Sequence, residues 1–243
     1  EEAYKGSEAS DQSAVNPIER YEALPGNPVI SNKWFSVVDG IGMANVTLRL
    51  LPTATDMTAD EMLQVEAEAR FIRGFHHFEG KRNFGKMPYI SEEALNTEDF
   101  QAIKNDTDIY PQIEADLQFA FDNLTPTKAQ KGRVNKWAAG AFLAKAYLYQ
   151  KKYAEAKALF DQLIANGVTS SGDKYALLDK FSDVFRGEFE NSEEVIFGIQ
   201  TTAGDDGTPG ANANLETELA NPHNDGPGGC CGFFQPWHTP AKS

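Results

Sequence analysis

The stretch that most constrains the fold runs from residue 134 to 167. Lys136 to Gln150 is crowded with small residues (Ala138, Ala139, Gly140, Ala141, Ala144, Ala146), which let a second helix lie close against it. A tight turn at Lys151-Lys152 follows, after which Tyr153, Ala156, Phe160, Leu163 and Ile164 fall on one face at helical spacing. Gly167 stands where a left-handed C-cap belongs. Two antiparallel helices of this length and pattern form a tetratricopeptide-like hairpin, whose spacing Ala144, Tyr147, Tyr153, Ala156 and Phe160 satisfy. The proline usual at the end of that repeat is missing, with Val168 near its place. A fainter echo lies upstream. Ala67, Phe71, Ile72 and Phe78 correspond to Ala138, Phe142, Leu143 and Tyr149 at a constant offset of 71 residues (138 minus 67). That offset is about two repeats of roughly 34 residues. Each hairpin leaves an apolar side open until a neighbour covers it, so two or more must stack. The expected fold is mainly α, built of tetratricopeptide-like hairpins with long irregular loops and little β.

Around this stretch the sequence sets out further elements. A helix is expected from about Trp34 to Leu51, stopped by Pro52. Thr58 with Glu61 three residues on is a capping box. It opens a helix whose stripe is Val65, Ala69, Phe71, Ile72, Phe75 and Phe78, ending near Gly85. A loop containing Pro88 leads to a helix from about Asp108 to Asn123, with Pro111 in its first turn. Residues 9–31, with Pro17, Pro25, Gly26 and Pro28, read as a long irregular loop. Tyr175 to Arg186 reads as a short helix and Glu194 to Gln200 as a strand. From Thr201 onward Gly, Pro, Asn and Asp dominate without an apolar period. The expected organisation is one domain over residues 1–243 with a helical-repeat core of about 34–186.

Composition narrows the function. A net charge of -14, from 36 acidic against 22 basic residues, repels phosphate backbones and argues against nucleic acid as partner. No run of eighteen apolar residues occurs, so nothing in the sequence reads as a membrane-spanning helix. His76 and His77 with Glu79 suggest a metal, but adjacent helical residues point about 100° apart and do not share one ion easily. The expected reading is histidines at a packing edge, with no metal and no cofactor. Glu193-Glu194 and Asp205-Asp206 are acidic pairs, yet glycoside hydrolysis needs two carboxyl groups facing each other across a sugar. No Ser, His and Asp set, P-loop or dinucleotide fingerprint is visible, so no catalysis is expected. The adjacent Cys230 and Cys231 are compatible with a vicinal disulfide or with two free thiols.

Five segments, in order, resemble the SusD/RagB family of outer-membrane nutrient-binding lipoproteins. Ala67-Glu68-Ala69-Arg70-Phe71-Ile72-Arg73-Gly74-Phe75 and the run Arg82-Asn83-Phe84-Gly85-Lys86-Met87-Pro88 resemble that family's signature helix and turn. Trp34 to Leu51, with Ile41, Ala44 and Asn45, resembles its early helix, and Gly132 to Ala156 its hairpin. Asn191-Ser192-Glu193-Glu194-Val195-Ile196-Phe197 resembles its N-x-E-x-I-F strand. Gly229-Cys230-Cys231-Gly232-Phe233-Phe234-Gln235-Pro236 resembles the segment that opens its second half. Members of that family run to about twice this length, so the resemblance implies a domain truncated at its C-terminal side, and the lipid-carrying cysteine is not in this sequence.

The resemblance implies a non-catalytic lipoprotein on the extracellular face of the outer membrane, anchored by an N-terminal lipid. It would capture oligosaccharides and deliver them to a SusC-like TonB-dependent β-barrel transporter. The alternatives are a tetratricopeptide-type scaffold and a peptide-binding member of the same family. Irregular segments 9–31 and 201–243 would form the ligand side. Tyr21, Phe233, Phe234 and Trp237 lie there with no helical face to occupy, and sugar C–H groups stack on such rings. Asp11 lies where relatives often carry an acidic residue near the site, and completes the expected ligand set.

Overall fold

The computed structural model describes residues 13–96, 102–185 and 189–200. The chain divides into two compact units, Glu1–Phe35 with Gln200–Ser243, and Ser36–Ile199. In the first unit a 3-10 turn, Ser13–Val15, runs into a one-turn helix α1, Asn16–Glu19, with Pro17 in its first turn. Helix α2, Pro28–Leu50, starts six residues before the expected Trp34. Buried Asn27 explains the difference. Its Oδ1 accepts the Val29 N–H at 2.9 Å as an N-cap, and its Nδ2 donates to the Ala14 carbonyl at 2.7 Å. Pro28 then sits where a missing N–H costs nothing. Residues 13–19 and 28–31 are therefore helical, and the irregular part of 9–31 is correspondingly shorter.

The second unit is a run of neighbouring helices. Helix α3, Ala59–Phe84, opens on the expected capping box, with Thr58 and Glu61 bonded in both directions. It closes at Gly85, whose φ of 72° suits a residue without Cβ. Helices α4 (Tyr110–Asn123), α5 (Lys136–Tyr149) and α6 (Tyr153–Asn166) follow, and α3–α4, α4–α5 and α5–α6 pack as successive pairs. Phe71 and Phe78 of α3, Ile113 and Leu117 of α4 and Leu143 of α5 are fully buried. Small residues set the spacing. A Cβ on Gly140 would lie 2.8 Å from the Phe121 ring, so α5 can approach α4 this closely only with glycine there. Asn135 caps α5 through Ala138 N–H and also donates to the carbonyls of Pro126 and Val168, joining the loops at both ends of the α5–α6 hairpin.

Four expectations need correction. Ala156, Leu159 and Leu163 bury α6, whereas Tyr153 and Ile164 are 61% and 75% exposed. Helical periodicity gives a stripe its direction but not the width that a neighbour covers. Gly167 is extended (φ -65°, ψ 137°), not left-handed. It is glycine because a Cβ would fall 2.4 Å from the Leu163 carbonyl oxygen and 2.7 Å from the Tyr175 ring. Of the expected helix from Tyr175 to Arg186, the described residues 175–185 are helical only as a 3-10 turn, Phe181–Phe185. The backbone N–H of Ala176 is taken by the Glu193 carbonyl and that of Leu178 by the Glu194 carboxylate, which draws this segment out beside the later one. Glu194 to Gln200 forms no strand. Among the described residues the one β-bridge is Val168 with Lys174.

Lys151 in the α5–α6 turn has φ 62°, a conformation that costs a residue with Cβ about 1–2 kcal/mol. Glycine removes that cost and returns part of it as unfolded-state entropy. Lys151→Gly is therefore expected to raise stability by roughly 0.5–1 kcal/mol, read from the urea midpoint at unchanged slope. A lowered midpoint would show that the turn depends on the lysine side chain.

Candidate ligand-binding site

Of the five expected ligand residues, Tyr21 is described. Asp11, Phe233, Phe234 and Trp237 lie outside the described residues. Tyr21 follows α1 at the position where helices usually end on a left-handed glycine. Its N–H bonds to the Ile18 carbonyl at 3.0 Å, and the Glu22 N–H bonds to the Pro17 carbonyl at 2.7 Å. Its φ is 58°, and its side chain is 77% exposed. A bulky aromatic residue in this conformation is an outlier that the backbone pays for, and such outliers concentrate at ligand-contacting positions. Leu24, similarly exposed, stands three residues on at the same turn.

The second unit holds an open apolar cleft of about 310 Å³. Ala141, Phe160, Leu163 and Ile164 of the α5–α6 hairpin form one wall, and Leu177 and Ile196 face them from the two paired segments. Phe142, Lys145, Val195 and Phe197 line an adjoining recess of about 450 Å³. Beneath it Phe71, Phe75, Phe142 and Phe197 pack edge to face at centroid distances of 5.1–6.0 Å. Glu193 and Glu194 stand at the rim, and the Glu194 carboxylate is already engaged by the Leu178 N–H. Walls of this kind suit aliphatic groups better than sugar hydroxyls, which need convergent hydrogen-bonding partners.

The most polar interior feature is a network that the sequence reading did not anticipate. Arg73 forks onto Asp116, Nε to Oδ2 and Nη2 to Oδ1, both at 2.7 Å. Its Nη1 reaches Asn45 Oδ1 at 3.1 Å and the Glu92 carboxylate. Tyr89 donates its hydroxyl to Asp116 Oδ2 at 2.9 Å. Burial alone would weaken the charge on Arg73, but Asp116 holds the guanidinium more firmly protonated than an ordinary arginine. Burial, reinforced by the Asp116 charge, pushes the Tyr89 phenol well up. Burial also works against the Glu92 carboxylate, yet its own backbone N–H and Arg73 keep it below the usual carboxylate range.

His77 shares this interior. Its Nδ1 pairs with the Arg73 carbonyl at 2.9 Å, and its Nε2 accepts the Ile90 N–H at 3.0 Å, so both nitrogens are taken. Burial drives its pKa down to about 3. This histidine is a neutral packing group. Among the described residues no cluster of three or more His, Cys, Asp and Glu side chains could hold a metal. The available sequence signal was that Arg73 and His77 sit four residues apart on the same stretch as buried Phe71 and Phe78, a polar pair set into an apolar face.

The sequence profile of the SusD-like family, described as starch-binding and associating with the outer membrane, matches residues 2–148. The chain belongs to the SusD-like family. A SusD-like protein of Bacteroides ovatus is 26% identical over 181 residues, 70% of this chain and 33% of that protein. SusD-like protein P2 of Formosa agariphila is 31% identical over 137 residues, 54% of this chain and 27% of its own length. Among solved structures, a laminarin-binding SusD-like protein superposes with a TM-score of 0.72 at 27% identity, covering 82% of this chain and 43% of the other. The chain thus spans less than half the length of each of these SusD-like relatives.

Proposed function

We propose that this SusD-like chain belongs to a glycan-binding protein of the outer-membrane surface, which captures oligosaccharides and delivers them to a SusC-like TonB-dependent transporter without cleaving them. The observation that carries the reading is the laminarin-binding relative, similar in sequence and in fold over four-fifths of the chain. Tyr21, presented at a backbone cost on an exposed turn, supports a stacking contact in the segment the sequence points to. Phe233, Phe234 and Trp237, with Asp11 as hydrogen-bonding partner, are proposed to complete the site. Anchoring by an N-terminal lipid is part of the same proposal. Among the described residues no helix is long and apolar enough to cross a membrane.

Calorimetric titration with laminari- and malto-oligosaccharides tests the ligand class. Tyr21→Gly is expected to weaken binding by about 1 kcal/mol or more while leaving the melting temperature equal or higher, because glycine suits φ 58°. Trp237→Ala is expected to weaken binding similarly with little change in stability. Absence of heat with every glycan, together with failure to co-isolate with a β-barrel transporter after gentle solubilisation, would overturn the proposal. The aliphatic cleft on the α5–α6 hairpin favours a second reading, that of a polypeptide-binding scaffold. Titration with apolar peptides that Leu163→Ser abolishes would point there instead.

A further inference from the structure

The stretch that leaves α3 at Gly85 turns back across α2, α3 and α4, and side chains hold it there. Met87 is buried, and its sulfur occupies the space a Cβ on Gly80 would need. The Tyr89 ring stacks on His77 at 4.5 Å, and its hydroxyl reaches Asp116 on α4. The Ile90 N–H is held by His77 Nε2, and the Ile90 carbonyl accepts from Asn45 Nδ2 of α2 at 2.9 Å. Glu92 reaches Arg73. Two of these anchors work only when deprotonated. A proton on His77 Nε2 would face the Ile90 N–H donor to donor, and a proton on Glu92 would cancel its charge pairing with Arg73.

We infer that residues 87–92 form an acid-released strap, closed over a neutral His77 and opened when that imidazole takes up a proton. The groups facing His77 bear out the direction. From α3 come the Arg73 cation and His76, from the strap the Tyr89 ring, and Asn45 and Asp116 close the surrounding network. The Asp116 charge, which could favour a protonated imidazole, is already committed to Arg73 and Tyr89. With the strap closed the imidazole stays neutral to low pH. With the strap open it meets water and titrates near the ordinary value of about 6.5. The open form therefore binds more proton over the interval from about 6.5 down to about 3, and opening gains up to tenfold for each unit of pH lost there.

Native-state hydrogen exchange of the intact chain tests this, with rates corrected for intrinsic pH dependence. The Ile90 amide is expected to lose protection by about 50-fold between pH 6.5 and pH 4.5, while the Leu143 amide in α5 holds steady. His77→Gln keeps an acceptor for the Ile90 N–H but cannot titrate, and is expected to flatten the Ile90 profile. Constant Ile90 protection, an equal slope in His77→Gln, or parallel loss at Leu143 would each overturn the inference. Should His77→Gln fail to fold, the imidazole shifts of the unaltered protein decide. A midpoint below 6.5 that coincides with loss of Ile90 protection supports the strap, and one near 6.5, or one reached with Ile90 still protected, refutes it.

Discussion

Arg73→Met is expected to cost about 3–5 kcal/mol, because it leaves the Asp116 carboxylate buried without its cation. The 2.7 Å fork supplies the two strongest hydrogen bonds that carboxylate receives. Tyr89 alone cannot replace them, and Arg70 is farther off, at 3.9 Å. Replacing both partners by apolar residues of similar volume removes the uncompensated charge. Arg73→Met combined with Asp116→Leu is therefore expected to be more stable than Arg73→Met alone. Asn45, Tyr89 and Glu92 still lose a partner in that double variant, so recovery will be incomplete. Urea denaturation of the two single variants and the double measures the coupling. Additive losses would mean that the pair is weaker than its geometry implies.

Phe71→Ala is expected to destabilise by a comparable 3–5 kcal/mol by emptying the centre of the aromatic cluster. Phe71 is fully buried and meets Phe142 and Phe197 edge to face, so its loss removes contacts from α3, α5 and the segment after α6 together. The proposed glycan contact at Tyr21 is expected to survive in whatever fraction stays folded. Thermal unfolding read alongside titration separates the two effects. A small loss of stability would show that neighbouring rings collapse into the space.

The fold was legible in the sequence wherever a local rule was sufficient. The Thr58–Glu61 box, Pro111 in the first turn of α4 and the small-residue face of α5 each depend on a few adjacent residues and held. What failed depended on distant neighbours. Whether Ile164 is covered is decided by what lies beside α6, and whether residues 175–185 coil is decided by Glu193 and Glu194, which bond Ala176 and Leu178 from 17 and 16 residues on (193 minus 176, 194 minus 178). The network around Arg73 joins Asn45, Glu92 and Asp116 from four parts of the chain, and no spacing announces it. At the proposed ligand contact, Tyr21 reads in the sequence as an aromatic without a helical face, and the structure leaves it exposed. Its left-handed backbone was not legible, because nothing local marks a tyrosine for a glycine's position.

The pairing of α3 with α4, α4 with α5 and α5 with α6 has a kinetic consequence. Each helix finds its principal partner immediately next to it in the chain, so the entropy of closing each loop is small. A chain wired this way has low contact order and is expected to assemble hairpin by hairpin as it emerges, before any later segment is present. Aromatic residues such as Phe71 wait for a more distant cover, here Phe197, and closing that contact is expected to come late in assembly.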